Sequence, residues 1–272
     1  MSIRETKTLL RTRRIVPNRL LGQNFTVEPS VFTKLVQYAN LSKSDVVLEV
    51  GAGFGFLTDF LSESCGAVLA VEKDSRVADV LHERFQHSNN VTVMLGDALK
   101  ADLPGFNKVV AIPPYYLSSH LVVWLLTQKV DCAVWVLQQE FADRLVAAVG
   151  SESYSWLTVV AYHSLRVELL DAVPKHFFFP QPEVDSVIIR LTPWGQEPFT
   201  VNDKTLFLRM VRWLFTQRNK KLNNALVPFI KSTLNVAKED AEKVACIIPF
   251  HEKRVRELPP EAFGDLANAL IR

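Results

Sequence analysis

The stretch LEVGAGFGFLT, Leu48 to Thr58, joins an apolar run to a helical pattern through three closely spaced glycines. Glycine has no Cβ, so the backbone at Gly51, Gly53 and Gly55 can turn tightly and approach a ligand closely. The spacing is GxGxG, whereas dinucleotide sites have GxGxxG, and a glycine pattern alone is a weak signal. The stretch predicts a strand, a loop that contacts a ligand and a helix.

On both sides of this stretch, valine-rich apolar runs alternate with helical patterns. The runs lack polar alternation, as expected for strands of a parallel sheet covered on both faces. This order predicts a doubly wound α/β sheet with right-handed crossovers, followed by a small C-terminal all-helical domain. The predicted strands are 45–50, 67–72, 91–95, 108–112, 132–137, around 157–170 and 184–191, and the predicted helices between them include 56–64, 75–85 and 118–128.

Acidic residues stand at the ends of successive predicted strands. Glu49 lies beside the glycine loop, Glu72 ends the next strand 21 residues after Gly51, and Asp97 follows the third strand, just before Ala98. At these positions Glu72 can accept hydrogen bonds from ribose hydroxyls, and Asp97 can bind an adenine amino group. A carboxylate at Glu49 suits a ligand with cationic groups better than a pyrophosphate. The set points to S-adenosylmethionine; a nicotinamide cofactor is the competing interpretation, and each acid alone could cap a helix.

The stretch VVAIPPYYLSS (109–119) ends a buried strand on two prolines and two tyrosines. With other segments, it resembles the KsgA-type small-subunit rRNA adenine N6,N6-dimethyltransferases and, more distantly, the erythromycin-resistance rRNA methylases. The similar segments occur in the family's order and run almost from end to end. They are LGQNF (21–25), LEVGAGFGFLT (48–58), IPPYYLSS (112–119), VLQQEFADRL (136–145), FFPQPEVDSVIIRL (178–191), FTQRNKKLNNAL (215–226) and RVRELPPEAF (254–263).

The resemblance implies a Rossmann-like class I methyltransferase sheet, S-adenosylmethionine as cofactor and adenine N6 of small-subunit rRNA as substrate, modified during ribosome biogenesis. Adenine N6 is a poor nucleophile, so such an enzyme holds the base flat and unstacked against the methyl donor. By match, the catalytic corner comprises Ile112, Pro114 and Tyr115, with Tyr115 stacking on the base and Phe178 as a second face. The implied cofactor-binding residues are Gln23, Asn24, Thr26, Glu49, Gly51, Gly53, Glu72, Asp97, Ala98 and Ile112.

Ile112 departs from the family pattern, which has Asn at this position. An isoleucine side chain can neither donate nor accept a hydrogen bond, and losing one positioned bond to a transition state typically costs about 10²–10³ in rate. Backbone carbonyls of 111–114 or the hydroxyl of Ser118 could compensate. We expect an active enzyme; the alternative is a catalytically weak or inactive small-subunit assembly factor that binds RNA and keeps the cofactor pocket.

The net charge of +2 conceals an uneven distribution. Residues 1–25 carry six basic groups and one acidic group, and residues 195–272 carry thirteen basic and nine acidic groups. Residues 26–194 have a net negative charge, with twelve basic and nineteen acidic groups. Basic ends around an acidic middle suggest a polyanionic partner, although solvated tails would give the same pattern. We predict a basic N-terminal arm (1–25), a methyltransferase domain (26–193) and a helical RNA-binding domain (194–272). The predicted RNA contacts are Arg11, Arg13, Arg14, Arg209, Arg212, Arg218, Lys220 and Lys221.

The remaining features indicate the class of protein. The hydrophobic content of 48% and charged content of 22% are ordinary for a globular protein, and no apolar run is long enough for a membrane span. The three cysteines form no CxxC pair, and neither they nor the histidines have metal-ligand spacing. We expect a cytoplasmic monomer without a metal, although the arginine-rich N-terminus also leaves a transit peptide open.

Overall fold

The computed structural model describes residues 3–18 and 21–271. The chain divides into two compact units, one of Met1–Ala142 and Val167–Pro193 and the other of Asp143–Arg166 and Trp194–Arg272. In chain order the helices and strands are α1 (Ile3–Thr12), β1 (Phe25–Thr26), α2 (Pro29–Ala39), β2 (Val46–Val50), α3 (Phe56–Ser64), β3 (Ala67–Glu72), α4 (Ser75–Phe85), β4 (Val91–Leu95), β5 (Lys108–Ala111), α5 (Ser118–Leu125), β6 (Cys132–Gln138), α6 (Gln139–Leu145), α7 (Trp156–Ser164), β7 (Leu165–Val173), β8 (Phe178–Phe179), β9 (Ser186–Pro193), α8 (Lys204–Phe215), α9 (Leu222–Leu234), α10 (Lys238–Ile247) and α11 (Pro260–Ala269).

The first unit is built around a mostly parallel sheet. Within the described residues this sheet has seven strands in the order β4-β3-β2-β5-β6-β9-β7. The five strands from β4 to β6 are mutually parallel, and β9 runs antiparallel to β6. The strand order reverses between β2 and β5, and open α/β sheets bind ligands in the crevice outside the carboxyl ends of the strands at such a point. The predicted α/β fold is confirmed, and its topology predicts a ligand site beside β2 and β5.

The helices on this sheet begin and end where local chemistry allows. The α4 helix begins after Asp74, whose carboxylate accepts a hydrogen bond from the Arg76 amide, and α2 begins after Glu28, whose carboxylate accepts one from the Ser30 amide. Such caps satisfy donors that have no partner within the helix. The α2 helix stops at Asn40, which adopts the left-handed conformation (φ 46°). Both α3 and α4 have the predicted bounds.

One strand prediction was wrong. Residues 157–164 belong to α7, and only the second half of the predicted strand around 157–170 is extended, as part of β7. The α7 helix is buried on most of its circumference, and an apolar run of this kind cannot be assigned to helix or strand from periodicity alone. The helix begins after Ser155, whose amide donates a 3.1 Å hydrogen bond to the Thr158 hydroxyl. The helix α5 is also shorter than predicted and ends at Leu125.

The second unit is helical, and its core is rich in aromatic residues. Phe215 lies between Tyr154 and Phe263, with ring centroids 5.4 and 5.5 Å away. The Tyr154 hydroxyl donates a 2.8 Å hydrogen bond to the carbonyl of Leu258. The segment 143–166, which the predicted domains place with the sheet, contributes Tyr154 and α7 to this unit. No helix in the described part of the chain is long and apolar enough to cross a membrane.

Candidate active site

A cavity opens at the carboxyl ends of β2 to β5, where the strand order reverses. Segments that are far apart in the sequence meet there, because parallel strands bring all their carboxyl ends to one edge of the sheet. A second, smaller cavity adjoins it and shares part of its lining. The first cavity is lined by Gln23, Asn24, Gly51, Gly53, Glu72, Asp97, Ala98, Ile112, Pro114, Tyr115 and Phe178 among others, and the second by Asn24, Thr26, Glu49, Gly51, Gly53 and Ile112 among others. All the predicted catalytic and cofactor-binding residues thus lie around these two cavities.

The glycine loop is held by its backbone conformation and by close packing. Gly51 and Gly55 have φ of 75° and 82°, in the left-handed region that only glycine adopts without strain. A Cβ on Gly51 would lie 3.2 Å from the ring of Pro114, so the loop and the proline corner touch. A Cβ on Gly55 would lie 2.4 Å from the ring of Phe85. The loop is therefore fixed between the proline corner and helix α4.

Glu72 is fixed by three backbone amides. Its carboxylate accepts hydrogen bonds from the amides of Gly53, Lys73 and Asp74 at 2.8–2.9 Å, and the residue is 8% exposed. Burial raises the pKa of this carboxyl above its usual value, although the three hydrogen bonds favour the ionised form. The amides orient the carboxylate at the end of β3, where it can accept hydrogen bonds from the hydroxyl groups of a ligand in the cavity.

Glu49 is the most deeply buried acidic residue of the site. It is 2% exposed, and its carboxyl accepts a 2.6 Å hydrogen bond from the hydroxyl of Thr58. Burial raises its pKa to about 8, with a further contribution from the charge of Glu72. A ligand cation at this position would stabilise the carboxylate and lower that pKa. In the same cavity the buried hydroxyl oxygen of Thr26 has no hydrogen-bond partner. The two groups fit a ligand end that carries a positive charge and polar atoms.

The adenine-binding acid predicted at Asp97 is held at the end of β4. Its carboxylate accepts hydrogen bonds from the Leu99 amide and the Lys73 ammonium, each 3.1 Å long. Burial would raise its pKa, but these bonds and the Lys73 charge outweigh burial and hold the pKa below its usual value. Asp97 is therefore an ionised acceptor at neutral pH.

The proline corner presents Tyr115 to the first cavity. The Tyr115 hydroxyl is hydrogen-bonded to the Ser186 hydroxyl at 2.7 Å, and its ring meets Phe178 edge to face with centroids 6.5 Å apart. Burial raises the pKa of Tyr115, so the phenol is neutral. Phe178 is 2% exposed and contributes only a small surface to the cavity. A planar ring could lie against Tyr115, with Phe178 bounding the cavity beside it.

Some of the groups that could replace the hydrogen bond missing at Ile112 already make hydrogen bonds within the protein. Ile112 lines both cavities and packs against the hydrophobic core. The Ser118 hydroxyl donates a 2.7 Å hydrogen bond to the carbonyl of Tyr115, and the Pro114 carbonyl accepts one from Leu117 at 2.9 Å. Since the Ser118 hydroxyl is bonded to the turn before its helix, the main-chain carbonyls are the better acceptors at this corner.

Two contributors to the site escaped sequence reasoning. Ser186 fixes the Tyr115 hydroxyl from the first residue of β9, and Asp74 accepts a 3.0 Å hydrogen bond from the side chain of Gln23. Asp74 also caps α4, and Asp-Ser after a strand is a recognisable start signal for a helix. For Ser186 the available signal was its position within the FFPQPEVDSVIIRL segment.

Comparisons with known proteins agree with this geometry. The model of the family described as ribosomal RNA adenine dimethylase matches residues 17–266. The chain belongs to the ribosomal RNA adenine dimethylase family. Among curated proteins, it is 39% identical over 257 residues to a "Probable ribosomal RNA small subunit methyltransferase A" of Methanosarcina acetivorans, covering 92% of both chains. It is 36% identical over 249 residues to a protein of the same name from Thermococcus kodakarensis, covering 90% of this chain and 87% of that one.

Solved structures extend the likeness to the fold. A dimethyladenosine transferase from Plasmodium falciparum superposes with a TM-score of 0.75 at 28% identity, covering 89% of this chain and 95% of the other. The 23S rRNA methyltransferase ErmE superposes with a TM-score of 0.67 at 25% identity, covering 92% and 100%. The predicted family and its relation to the erythromycin-resistance methylases are confirmed, as are the enzyme class and the methyltransferase fold.

The predicted RNA contacts of this rRNA adenine dimethylase differ in their exposure and in the protein groups that their side chains already bind. Among the N-terminal ones, Arg11 and Arg14 are exposed, whereas Arg13 forms an ion pair with Glu83. In the second unit, Arg218 donates 2.8 Å hydrogen bonds to the carbonyls of Ser151 and Glu152. That geometry indicates a structural role for Arg218.

The other four predicted contacts of the second unit are exposed. The guanidinium of Arg212 lies 4.5 Å from the ring centre of Trp156, and Lys221 pairs with Glu252 at 2.5 Å. Such exposed pairs contribute little to stability and can exchange partners. Together with the exposed Arg209 and Lys220, these residues remain predicted RNA contacts.

Proposed function

We propose that the protein transfers methyl groups from S-adenosylmethionine to N6 of adenine in small-subunit rRNA, giving N6,N6-dimethyladenosine during ribosome biogenesis. One observation carries the proposal: Glu72 and Asp97, suited to a nucleoside, line the same cavity as Tyr115 and Phe178, suited to a flat base. A donor and an acceptor bound in one cavity can be held in reacting geometry, which lowers the entropic part of the barrier.

The chain's own residues fit the cofactor in three places. Glu72 would accept hydrogen bonds from the ribose hydroxyls, and Asp97 from the adenine amino group. Glu49 and the unpaired hydroxyl of Thr26 would face the charged amino-acid end. When bound, S-adenosylmethionine supplies an electrophilic methyl group on a cationic sulfur. The acidic lining favours binding of that cation, and the glycine loop allows close approach of the backbone.

On the acceptor side, Tyr115 would stack on the target adenine and Phe178 would limit its movement. Stacking of a base on an aromatic side chain is worth about 1–3 kcal/mol. The carbonyls of Ile112 and Pro113 would accept hydrogen bonds from the N6 hydrogens and help to localise the lone pair on nitrogen. No general base is required, because N6 becomes acidic once methylated and loses its proton to water.

Labelled methyl transfer to small ribosomal subunits that lack the adenine modification, followed by nucleoside analysis, tests the proposal. We expect dimethyladenosine with the wild-type protein and at least a tenfold lower rate with Asp97→Ala, since a hydrogen bond to a charged group contributes about 1.5–3 kcal/mol. Glu63→Ala, an exposed residue in the last turn of α3, is the control. Tight subunit binding without methyl transfer would instead leave the assembly factor as the function. We expect the enzyme to act as a monomer in the cytoplasm.

A further inference from the structure

Helix α1 carries a basic stripe that the catalytic site does not use. Arg4, Lys7 and Arg11 are spaced by three and four residues, so they project from one side of the helix, and all three are exposed. Glu5 projects to another side, since each residue rotates the helix by about 100°. Arg11 also lies in the last turn, where a positive charge is favoured by the helix dipole.

The side of α1 next to the stripe is anchored in the core, which fixes the direction of the stripe. Thr6 and Leu10 are buried at 0% and 7% exposure. After the helix, the chain turns at Arg14, whose φ is 51°, and then buries Ile15 at 4% exposure. The Ile15 amide donates a 2.8 Å hydrogen bond to the carbonyl of Leu10. The stripe therefore belongs to a fixed surface of the first unit.

Part of the stripe borders an open groove. Its residues Lys7 and Arg11, together with Arg14 from the turn after the helix, line one wall, and the apolar lining includes Val16 and Phe179. The groove has a volume of about 510 Å³, within the range of sites that hold small ligands, and none of its described lining residues is acidic. Val16 is 75% exposed, which leaves an apolar surface open to solvent directly beside three cations.

The groove and the catalytic cavity lie on the two sides of one short strand. Phe178 lines the catalytic cavity and Phe179 lines the groove, and consecutive side chains of a strand point to opposite faces. Both residues are held by pairing of β8 with β1, in which Phe25 is opposite Phe179 and Thr26 opposite Phe178. The Lys7 ammonium lies 4.9 Å from the ring centre of Phe179 and covers that ring. The two-residue strand β8 is thus what separates the groove from the catalytic cavity.

We propose that this groove binds an unpaired nucleotide of the substrate RNA beside the target adenine. Its phosphate would lie against Lys7, Arg11 and Arg14, and its base against the apolar surface around Val16. A cationic wall beside an apolar surface is the general arrangement for single-stranded nucleic acid. Arg13 does not line the groove; it pairs with Glu83. The inference rests on the proposed function and adds a second binding site for the same substrate.

Single substitutions measure each contact. Lys7→Ala and Arg11→Ala are compared with Lys129→Ala. Lys129 is an exposed lysine just before the amino end of β6. Binding of a short fluorescent single-stranded oligoadenylate is measured at several salt concentrations. Each groove variant should reduce the slope of log K against log salt by about 0.7, the value for one phosphate of a single strand. At about 0.15 M salt this corresponds to roughly fourfold weaker binding, since 0.15 to the power −0.7 is about 4.

The apolar part of the groove needs a different pair of variants. Val16→Glu places a negative charge beside the phosphate, whereas Val16→Thr keeps the shape without a charge. We expect Val16→Glu to weaken oligoadenylate binding by at least as much as Lys7→Ala, and Val16→Thr to weaken it less. With small subunits as substrate, KM should rise about fourfold in Lys7→Ala and Arg11→Ala. In both variants kcat and equilibrium binding of S-adenosylmethionine should stay unchanged.

The possible failures are distinguishable. If the wild-type protein methylates subunits but Lys7→Ala and Arg11→Ala match Lys129→Ala in salt slope and KM, the groove does not bind RNA. A larger loss of binding to duplex RNA than to the single strand would also overturn the proposal. If the wild-type protein itself transfers no methyl group, the proposed function fails, whatever the oligoadenylate titrations give.

Discussion

The hydrogen bond between Tyr115 and Ser186 should control how well the target base is held. Ser186 is fully buried, and its hydroxyl is 2.7 Å from that of Tyr115. In Ser186→Ala the phenol loses this partner inside a largely apolar site. A buried hydroxyl without a partner costs about 1–3 kcal/mol, so the tyrosine would tend to rotate towards water and leave its stacking position.

The size of the effect follows from that cost. A free energy of 1–3 kcal/mol corresponds to roughly 5- to 150-fold in the population of the stacking position, and we expect a loss of kcat/KM within this range. The unfolding free energy should fall by about 1–3 kcal/mol. The double variant Tyr115→Phe/Ser186→Ala removes both polar groups. It should be closer to wild type than Ser186→Ala is, because neither partner is left unsatisfied.

Initial rates of methyl transfer and urea unfolding of the four proteins in this cycle provide the measurement. Ser118→Ala is the matched control, since Ser118 is a buried serine that bonds the Tyr115 carbonyl and not its phenol. It should lower stability with a smaller effect on rate. If Tyr115→Phe and Ser186→Ala are additive in rate, or if Ser186→Ala keeps full activity, Ser186 does not position the ring.

Three further predictions concern the loop and the corner. Because the folded pKa of Glu49 is about 8 against an ordinary 4.5, the native state binds the extra proton between these values. Stability should therefore fall as pH rises from 4.5 to 8, by at most about 1.4 kcal/mol per pH unit, and urea unfolding should show that Glu49→Gln removes this dependence. Ile112→Asn should raise the single-turnover methylation rate, by up to about 10²–10³, if the apolar side chain is a handicap. Gly55→Ala should destabilise the fold by roughly 2–4 kcal/mol in chemical denaturation, from left-handed strain and overlap with Phe85. Gly105→Ala, where a Cβ meets nothing within 4 Å, is its control.

Each of these predictions has a result that contradicts it. An unchanged pH dependence in Glu49→Gln would assign the effect to other acids. An equal or lower rate in Ile112→Asn would mean that the corner has adapted around the isoleucine, with main-chain carbonyls already well placed. Equal stabilities of Gly55→Ala and Gly105→Ala would show that the loop relaxes without strain.

Much of the cofactor site could be predicted from local sequence. Glycines after a strand have a direct conformational meaning, and Glu72 ends a strand while Asp97 follows one, both in mainly apolar runs. Parallel strands bring such ends to one edge, so the sequence order of these acids was enough to place them together. The family resemblance then pointed to the corner around Tyr115, because its motif is contiguous.

The sequence by itself therefore determined most of the strands, the predicted ligand-binding edge of the sheet and the acids at that edge. Tertiary structure alone decided contacts between distant residues, since pairing across 71 residues for Tyr115 and Ser186, or 70 for Arg13 and Glu83, leaves no local pattern. It also made residues 157–164 helical. An apolar run is compatible with either a buried strand or a buried helix, and packing against its neighbours decides between them. Local preferences set the elements, whereas burial and long-range pairing decide which charges stay free and which aromatic ring is fixed.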